Sequence, residues 1–242
     1  MSGKIWAFGC SQTYGHGLED CIENSVEYPN APGKKPSNFS YPQLIGNALN
    51  KEVINLSCPG ASNKHILRRI KMAQPEMASD DIVLIGWTNK DRYIILKEDI
   101  DLDTNWTDYL HPSQIGKSKL ADIYYKNIHD DNDAEIVTRW YMNYAYLTLK
   151  AMGIRSIHCP IPFSGCPNGT GDKRKGPSPG MYGFKYFESQ TSDSKFEVGL
   201  QLLSKTFMHP HIFTDLALDG IHSGPKTHRA FADLIITEFL TQ

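Results

Sequence analysis

Ile82-Val83-Leu84-Ile85 is an unbroken apolar run closed by Gly86 and Trp87, and no other stretch constrains the fold of this chain as much. A strand with apolar side chains on both faces must be covered on both faces, which is the mark of a parallel sheet flanked by helices. Ile5-Trp6-Ala7-Phe8, ended by Gly9, has the same character, and Glu52 to Leu56 and Arg155 to Ile161 read as further strands. Between the strands the apolar residues fall at helical spacing. Tyr41, Leu44, Ile45, Ala48 and Leu49 mark one helix, and Ile66, Leu67 and Ile70 mark a second from Ala61 to about Ala73. Val137, Trp140, Tyr144 and Leu147 form the inward stripe of a third, from about Ala134 to Met152, with Gly153 as its stop. Pro225 opens a closing helix that runs to about Leu240. Alternating strands and helices specify an α/β fold, a doubly wound layer sandwich with its ligand crevice outside the carboxyl ends of the strands.

Composition narrows the function classes. The 242 residues read as a single domain, residues 1–242, interrupted by insertions near 14–40, 88–133 and 163–200. Residues 9–40 read as a loop with one helical turn, and the second insertion as irregular chain. Twenty-five basic against 27 acidic residues leave a formal charge of −2, with no footprint for a polyanion, so no nucleic acid is expected as a partner. No apolar run approaches a bilayer span, so no membrane is expected either. Ile5–Phe8 is too short for a signal-peptide core, so the expected location is cytoplasmic. The 5 cysteines form no CxxC pair, which suits reduced thiols better than a disulfide framework or a zinc knuckle.

His209-Pro210-His211 with Asp215 is the pattern closest to a metal cluster. Alternate histidines beside a proline, with no other ligand spacing in support, read as solvated residues, and neither metal nor cofactor is expected. Trp106, Tyr109, Tyr124, Tyr125, Tyr182 and Tyr186 lie in the insertions, where aromatics anchor loops or stack on sugar rings. Lys173-Arg174-Lys175 reads as solvated loop charge.

Three strand exits and one late loop carry chemistry. Gly9-Cys10-Ser11 places a serine at a tight turn, where its hydroxyl can stand above the sheet and its own N–H beside a reacting carbon. Pro59-Gly60-Ala61 exposes a backbone N–H, and Gly86-Trp87-Thr88-Asn89 offers a hydroxyl and an amide. Asp219-Gly220-Ile221-His222 sets a carboxylate and an imidazole on a loop before the last helix. Serine is a weak nucleophile at neutral pH and needs an imidazole to take its proton. The imidazole in turn needs a partner that fixes its tautomer. Taken singly, Ser11 also fits a helix N-cap and Asp219-x-x-His222 a solvated loop.

In their order along the chain, Gly9-Cys10-Ser11, Gly60, Gly86 to Asn89 and Asp219-x-x-His222 resemble the four blocks of the SGNH (GDSL-type) hydrolases, from about residue 4 to 239. The resemblance implies a flavodoxin-like three-layer α/β/α sandwich with a parallel sheet of about five strands and long loop insertions. It implies a serine ester hydrolase with Ser11 as nucleophile, His222 as general base and Asp219 as its orienting partner. The N–H groups of Ser11 and Gly60 would supply two oxyanion donors. Two positions depart from the family pattern: Cys10 replaces the acidic residue before the nucleophile, and Thr88 stands where the family has asparagine. The third oxyanion donor is therefore either Asn89 or Thr88, and Arg92 at the same mouth either contacts substrate or braces the loop. The polar, aromatic insertions point to a small acyl group on a carbohydrate or other polar alcohol as substrate. The alternatives on the same fold are a non-catalytic carbohydrate-binding or structural module and an O-acyltransferase using the same serine.

Overall fold

The structure, a computed structural model, describes residues 3–23, 31–94, 109–160 and 213–240. Among these, four parallel strands form the sheet: β1 (Ile5–Phe8), β2 (Val53–Asn55), β3 (Ile82–Trp87) and β4 (Arg155–Pro160), in the order β2-β1-β3-β4. Ile5 pairs with Val53 on one side and Ile82 on the other, and Ile85 pairs with His158. This is a flavodoxin-like order, whose direction switches between β1 and β3, the place where such sheets open a crevice. The fold class expected from the sequence is therefore present, with four strands described where about five were expected.

Alternation along each strand builds two cores. Ile5, Ala7, Leu84, Ile157 and Cys159 face one side, against Tyr41, Leu44 and Ile45 of α2 (Tyr41–Leu49) and Phe231, Ala232 and Ile235 of α6 (Pro225–Ile235). Trp6, Phe8, Val83, Ile85 and Trp87 face the other, against Ile66 and Ile70 of α3 (Asn63–Ala73) and Met142, Ala145 and Leu149 of α5 (Asp131–Ala151). At the amino ends of β1 and β3, the buried Asp81 carboxylate accepts the Lys4 amide at 2.6 Å, the Trp6 indole N–H at 2.8 Å and the Ala78 amide at 2.9 Å. Burial raises the Asp81 pKa, but these donors outweigh it and hold the group below its ordinary value.

The insertions carry more structure than their sequences suggest. Ser11–Tyr14 (α1) is the expected single turn, but Ile22–Glu23 and Ala31–Pro32 also pair as an antiparallel ribbon. Within 88–133, Tyr93–Ile94 pairs with Tyr109–Leu110, and Lys119–Asn127 forms a helix, α4, capped by the Ser118 hydroxyl. Tyr124 stacks on Tyr93 with ring centroids 4.8 Å apart, and the Tyr125 hydroxyl donates to the Asp91 carbonyl at 2.6 Å, so these tyrosines anchor the insertion. Trp106, Tyr182, Tyr186, Lys173-Arg174-Lys175, His209, His211 and the 163–200 insertion lie outside the described residues.

The inward stripe of α5 requires correction. Trp140, Tyr144 and Leu147 are exposed at 64%, 45% and 46%, Val137 is only partly buried, and the buried face is Thr138, Met142, Ala145, Tyr146 and Leu149. The helix carries apolar residues on two faces. The face with the small Ala145 turns to the sheet, while the bulky stripe remains outside with the Lys71 ammonium 5.1 Å from the Tyr144 ring centre. Met142→Ala is therefore expected to cost about 2–5 kcal/mol, whereas Trp140→Ser changes stability by roughly 0.5 kcal/mol or less. Chemical denaturation of both variants checks this, and an equal loss in the two would contradict the observed face.

Candidate active site

β1 ends at Phe8, and the chain turns through Gly9 and Cys10 into α1. Cys10 holds the N-cap position without a side-chain cap bond, so Ser11 is the first residue of the turn and not its cap. The Cys10 side chain packs in the apolar cluster around Trp6 and Phe8, consistent with a structural role. The turn is braced from three elements. Asn55 Nδ2 donates to the Thr13 carbonyl at 3.0 Å, the Thr13 and Tyr41 hydroxyls pair at 3.1 Å, and the Tyr41 amide donates to His228 Nδ1 at 3.1 Å. Burial pushes the His228 pKa down to about 3, which keeps the ring neutral and its Nδ1 lone pair able to accept.

The second part of the site is a self-bonded loop. The Ala217 amide donates to the His222 carbonyl at 2.8 Å, and the Gly224 amide to the Asp215 carbonyl at 3.0 Å. Inside it, Asp219 accepts His222 Nδ1 at 2.5 Å and the amides of Ile221 and His222 at 2.9 and 3.0 Å. Burial alone raises the carboxyl pKa, but these three donors, the imidazole first among them, outweigh it and lower the value to about 2. Asp219 is thus ionised at neutral pH and fixes the His222 tautomer with its proton on Nδ1, leaving Nε2 as the basic nitrogen. The loop meets the Ser11 turn where Gln12 Oε1 accepts the Ser223 amide at 3.3 Å. It is also stapled by the Leu218 amide, which donates to the Gly17 carbonyl at 3.0 Å. Gly17 sits at φ +88°, and a Cβ there would lie 2.7 Å from Asp219 Oδ2. The His16 ring rests 4.3 Å from that of His222, centre to centre.

The remaining strand exits present hydrogen-bond donors. The turn before Gly60 is closed by the Ala61 amide donating to the Cys58 carbonyl at 3.0 Å, with Gly60 at φ +76°. After β3, Asn63 clasps Thr88: its Oδ1 accepts the Thr88 amide at 2.9 Å and its Nδ2 donates to the Thr88 carbonyl at 3.1 Å. The Thr88 hydroxyl is buried and has no hydrogen-bond partner. Asn89 is engaged differently, its side-chain oxygen accepting the Asp91 amide at 3.0 Å. Among the described residues no backbone carbonyl accepts the Ser11 or Gly60 amide.

Two sequence candidates take other positions. Arg92 is 8% exposed and lies beside His111, whose pKa is lowered to about 4 by burial and by the Arg92 charge. Such burial suits loop bracing better than an open substrate contact. Asp215 accepts the Lys226 and Thr227 amides at 3.0 and 2.8 Å, capping the start of α6, where the Gly224 N-cap has no side chain to do so. Sequence reading missed Gln12, His16 and Asn63, since a lone polar residue near a turn carries no spacing signal. It also missed the knot at Lys90, whose ammonium lies 2.7 Å from both Asp91 and Asp131.

Gly17→Ala is expected to cost about 1–3 kcal/mol from its left-handed backbone, and to lower activity further by displacing the Asp219 carboxylate. Comparing kcat and melting temperature with wild type separates the two effects. An active variant with an undisturbed pH profile would contradict the close packing. Because the Asp219 pKa is lowered to about 2, its native stabilisation is fully present above the ordinary carboxylate pKa, declines as pH falls below that value and is gone once pH has fallen through about 2. Any loss of activity between pH 7 and pH 4 must therefore persist unchanged in shape as an effect of groups other than Asp219. A pH–rate profile checks this, and NMR titration of the carboxylate near pH 4 would overturn it.

No protein-family model matches the chain. No curated protein matches it either. Solved structures do. A member of the lipolytic G-D-S-L family from Veillonella parvula is similar at TM-score 0.55 and 11% identity, covering 99% of each chain. Axe2, an acetylxylan esterase from Geobacillus stearothermophilus, is similar at TM-score 0.53 and 14% identity, over 98% of this chain and 93% of that one. Phospholipase A1 from Streptomyces albidoflavus is similar at TM-score 0.51 and 14% identity, over 98% and 100%. With its strand order, its two helical layers and these likenesses, the chain has the fold of the SGNH (G-D-S-L) hydrolases.

Proposed function

We propose that the protein is a serine ester hydrolase that works through an acyl-enzyme on Ser11. The observation that carries this reading is a set of donors held by a rigid frame: among the described residues the Thr88 hydroxyl has no partner, and no backbone carbonyl accepts the Ser11 or Gly60 amide. An unpaired buried polar group costs folding about 1–3 kcal/mol, so such a group at a strand exit suits a site that receives its acceptor from the substrate. The acceptor is the oxyanion of a tetrahedral intermediate, which needs donors aimed in advance.

His222 Nε2 removes the Ser11 hydroxyl proton as the oxygen attacks the ester carbonyl, and Asp219 stabilises the imidazolium that forms. The carbonyl oxygen, now an oxyanion, is held by the Ser11 and Gly60 amides and the Thr88 hydroxyl. The imidazolium then protonates the leaving alcohol, and a water deprotonated by His222 releases the acid. Thr88 is preferred over Asn89 as third donor because its hydroxyl is buried at the strand exit with no partner among the described residues, whereas the Asn89 carboxamide is turned back to its own loop by its Oδ1, which accepts the Asp91 amide. A small acyl group on a carbohydrate or other polar alcohol is the substrate class we favour. It is supported by the likeness to an acetylxylan esterase. A clear preference for long-chain over acetyl esters would reject that class.

Labelling with a fluorophosphonate, read by intact mass, tests the nucleophile. One adduct is expected on wild type and none on Ser11→Ala or His222→Ala, and an unlabelled folded wild type would reject the reading. Thr88→Val tests the third donor. It should lower kcat by about 100-fold while leaving the melting temperature equal or higher, because it removes an unpaired hydroxyl. Loss of stability without loss of kcat would reject Thr88.

A further inference from the structure

The loop that carries the acid–base pair draws in a third donor that no step of the proposed reaction uses. His16, Asp219 and His222 each offer one ligand atom, the three atoms lie within 4.8 Å of one another, and all three residues are half-buried. We propose that this cluster binds a divalent transition cation of the Zn²⁺ type, and that occupancy switches the hydrolase off. The inhibitory half of this proposal rests on the acyl-transfer reading above. The binding half does not.

Two imidazoles and one carboxylate form a nitrogen–oxygen set that suits Zn²⁺, with a fourth position left for water. Ligands at about 2.0–2.2 Å from a tetrahedral ion stand roughly 3.4 Å apart. The three ligand atoms, all within 4.8 Å of one another, are brought to that spacing by side-chain rotation. The backbone already holds the two segments together, because the Gly17 carbonyl accepts the Leu218 amide at 3.0 Å and the missing Cβ of Gly17 leaves room for the Asp219 carboxylate. His16 therefore reaches the pair from a fixed position, 4.3 Å from the His222 ring.

A second group, Asp91, His129 and Asp131, has a similar donor count but a different fate. There the Lys90 ammonium sits 2.7 Å from each carboxylate, so the place of a cation is already filled by a side chain. Within His16, Asp219 and His222 the ion pair is that of the Asp219 carboxylate with the His222 imidazole. A cation that takes the Asp219 oxygen withdraws the carboxylate from His222 Nδ1. One that takes the imidazole consumes the lone pair that removes the Ser11 proton. Either event stops acyl transfer.

The test uses the full chain, freed of metal by chelator and titrated with Zn²⁺ in a calorimeter, with Co²⁺ absorption as a report of geometry. Wild type is expected to bind one Zn²⁺, His16→Ala and His16→Gln to bind it roughly tenfold or more weakly, and His129→Ala to bind it as wild type does. Acetyl-ester hydrolysis by wild type should fall in step with occupancy and return with EDTA. The His16 variants, each compared with its own metal-free activity, should resist the same Zn²⁺ concentration. Unchanged binding in both His16 variants, or loss of binding in His129→Ala alone, overturns the site. Zn²⁺ binding through His16 in a protein that fluorophosphonate does not label would retain the metal site and reject the acyl-transfer reading instead.

Discussion

A sheet covered on both faces has no side on which to do chemistry. β1 and β3 are apolar above and below, packed by α2 and α6 on one side and α3 and α5 on the other. Every polar group the protein needs for reaction is thereby driven to the strand ends. The amino ends are occupied by Asp81 and its three donors, which close that edge. The carboxyl ends, between β1 and β3, are where Ser11 and Thr88 emerge. The reactive edge follows from which end of the sheet is left unsatisfied.

The polar groups at the reactive edge fall into two kinds. One kind is committed to the frame: His228 Nδ1 accepts the Tyr41 amide, Asn63 clasps both backbone groups of Thr88, and Asp215 caps α6. The other kind is held in place by the first and left without a partner, as the Thr88 hydroxyl is. Burial is costly for both, but only the first recovers that cost within the protein. Asp219 stands between the two kinds. Its three hydrogen bonds keep it charged in spite of burial, and that charge is directed at a single imidazole.

Most of the fold was legible because it rests on period and run length. Ile82–Ile85 and Ile5–Phe8 can be covered only in a layered sandwich, and their positions imply the strand exits. The Asp219–His222 pair was legible because both partners lie within one turn of chain. The buried face of α5 was not, since Trp140, Tyr144 and Leu147 share a helical stripe as regular as that of Thr138, Met142 and Leu149. Helical period alone does not say which of two stripes meets the sheet. The choice between the two roles open to Arg92 was not legible either: its place after β3 follows from sequence, but its burial depends on the fold around it. The roles of Asn63, Gln12 and His16 depend on partners far away in sequence, which no local pattern encodes.

The bond between Gln12 and the Ser223 amide spans 211 positions. It joins a turn completed by the first strand to a loop completed only by the last helix, since α6 is the element that Asp215 caps. Each half has its own local hydrogen bonds, so each can take shape before the other arrives, but neither is a site alone. During synthesis the serine leaves the ribosome long before the imidazole exists. A chain cut between β4 and the final loop keeps the four described strands and lacks the proposed base altogether. The proposed site is therefore assembled only once the final loop and α6 have been made.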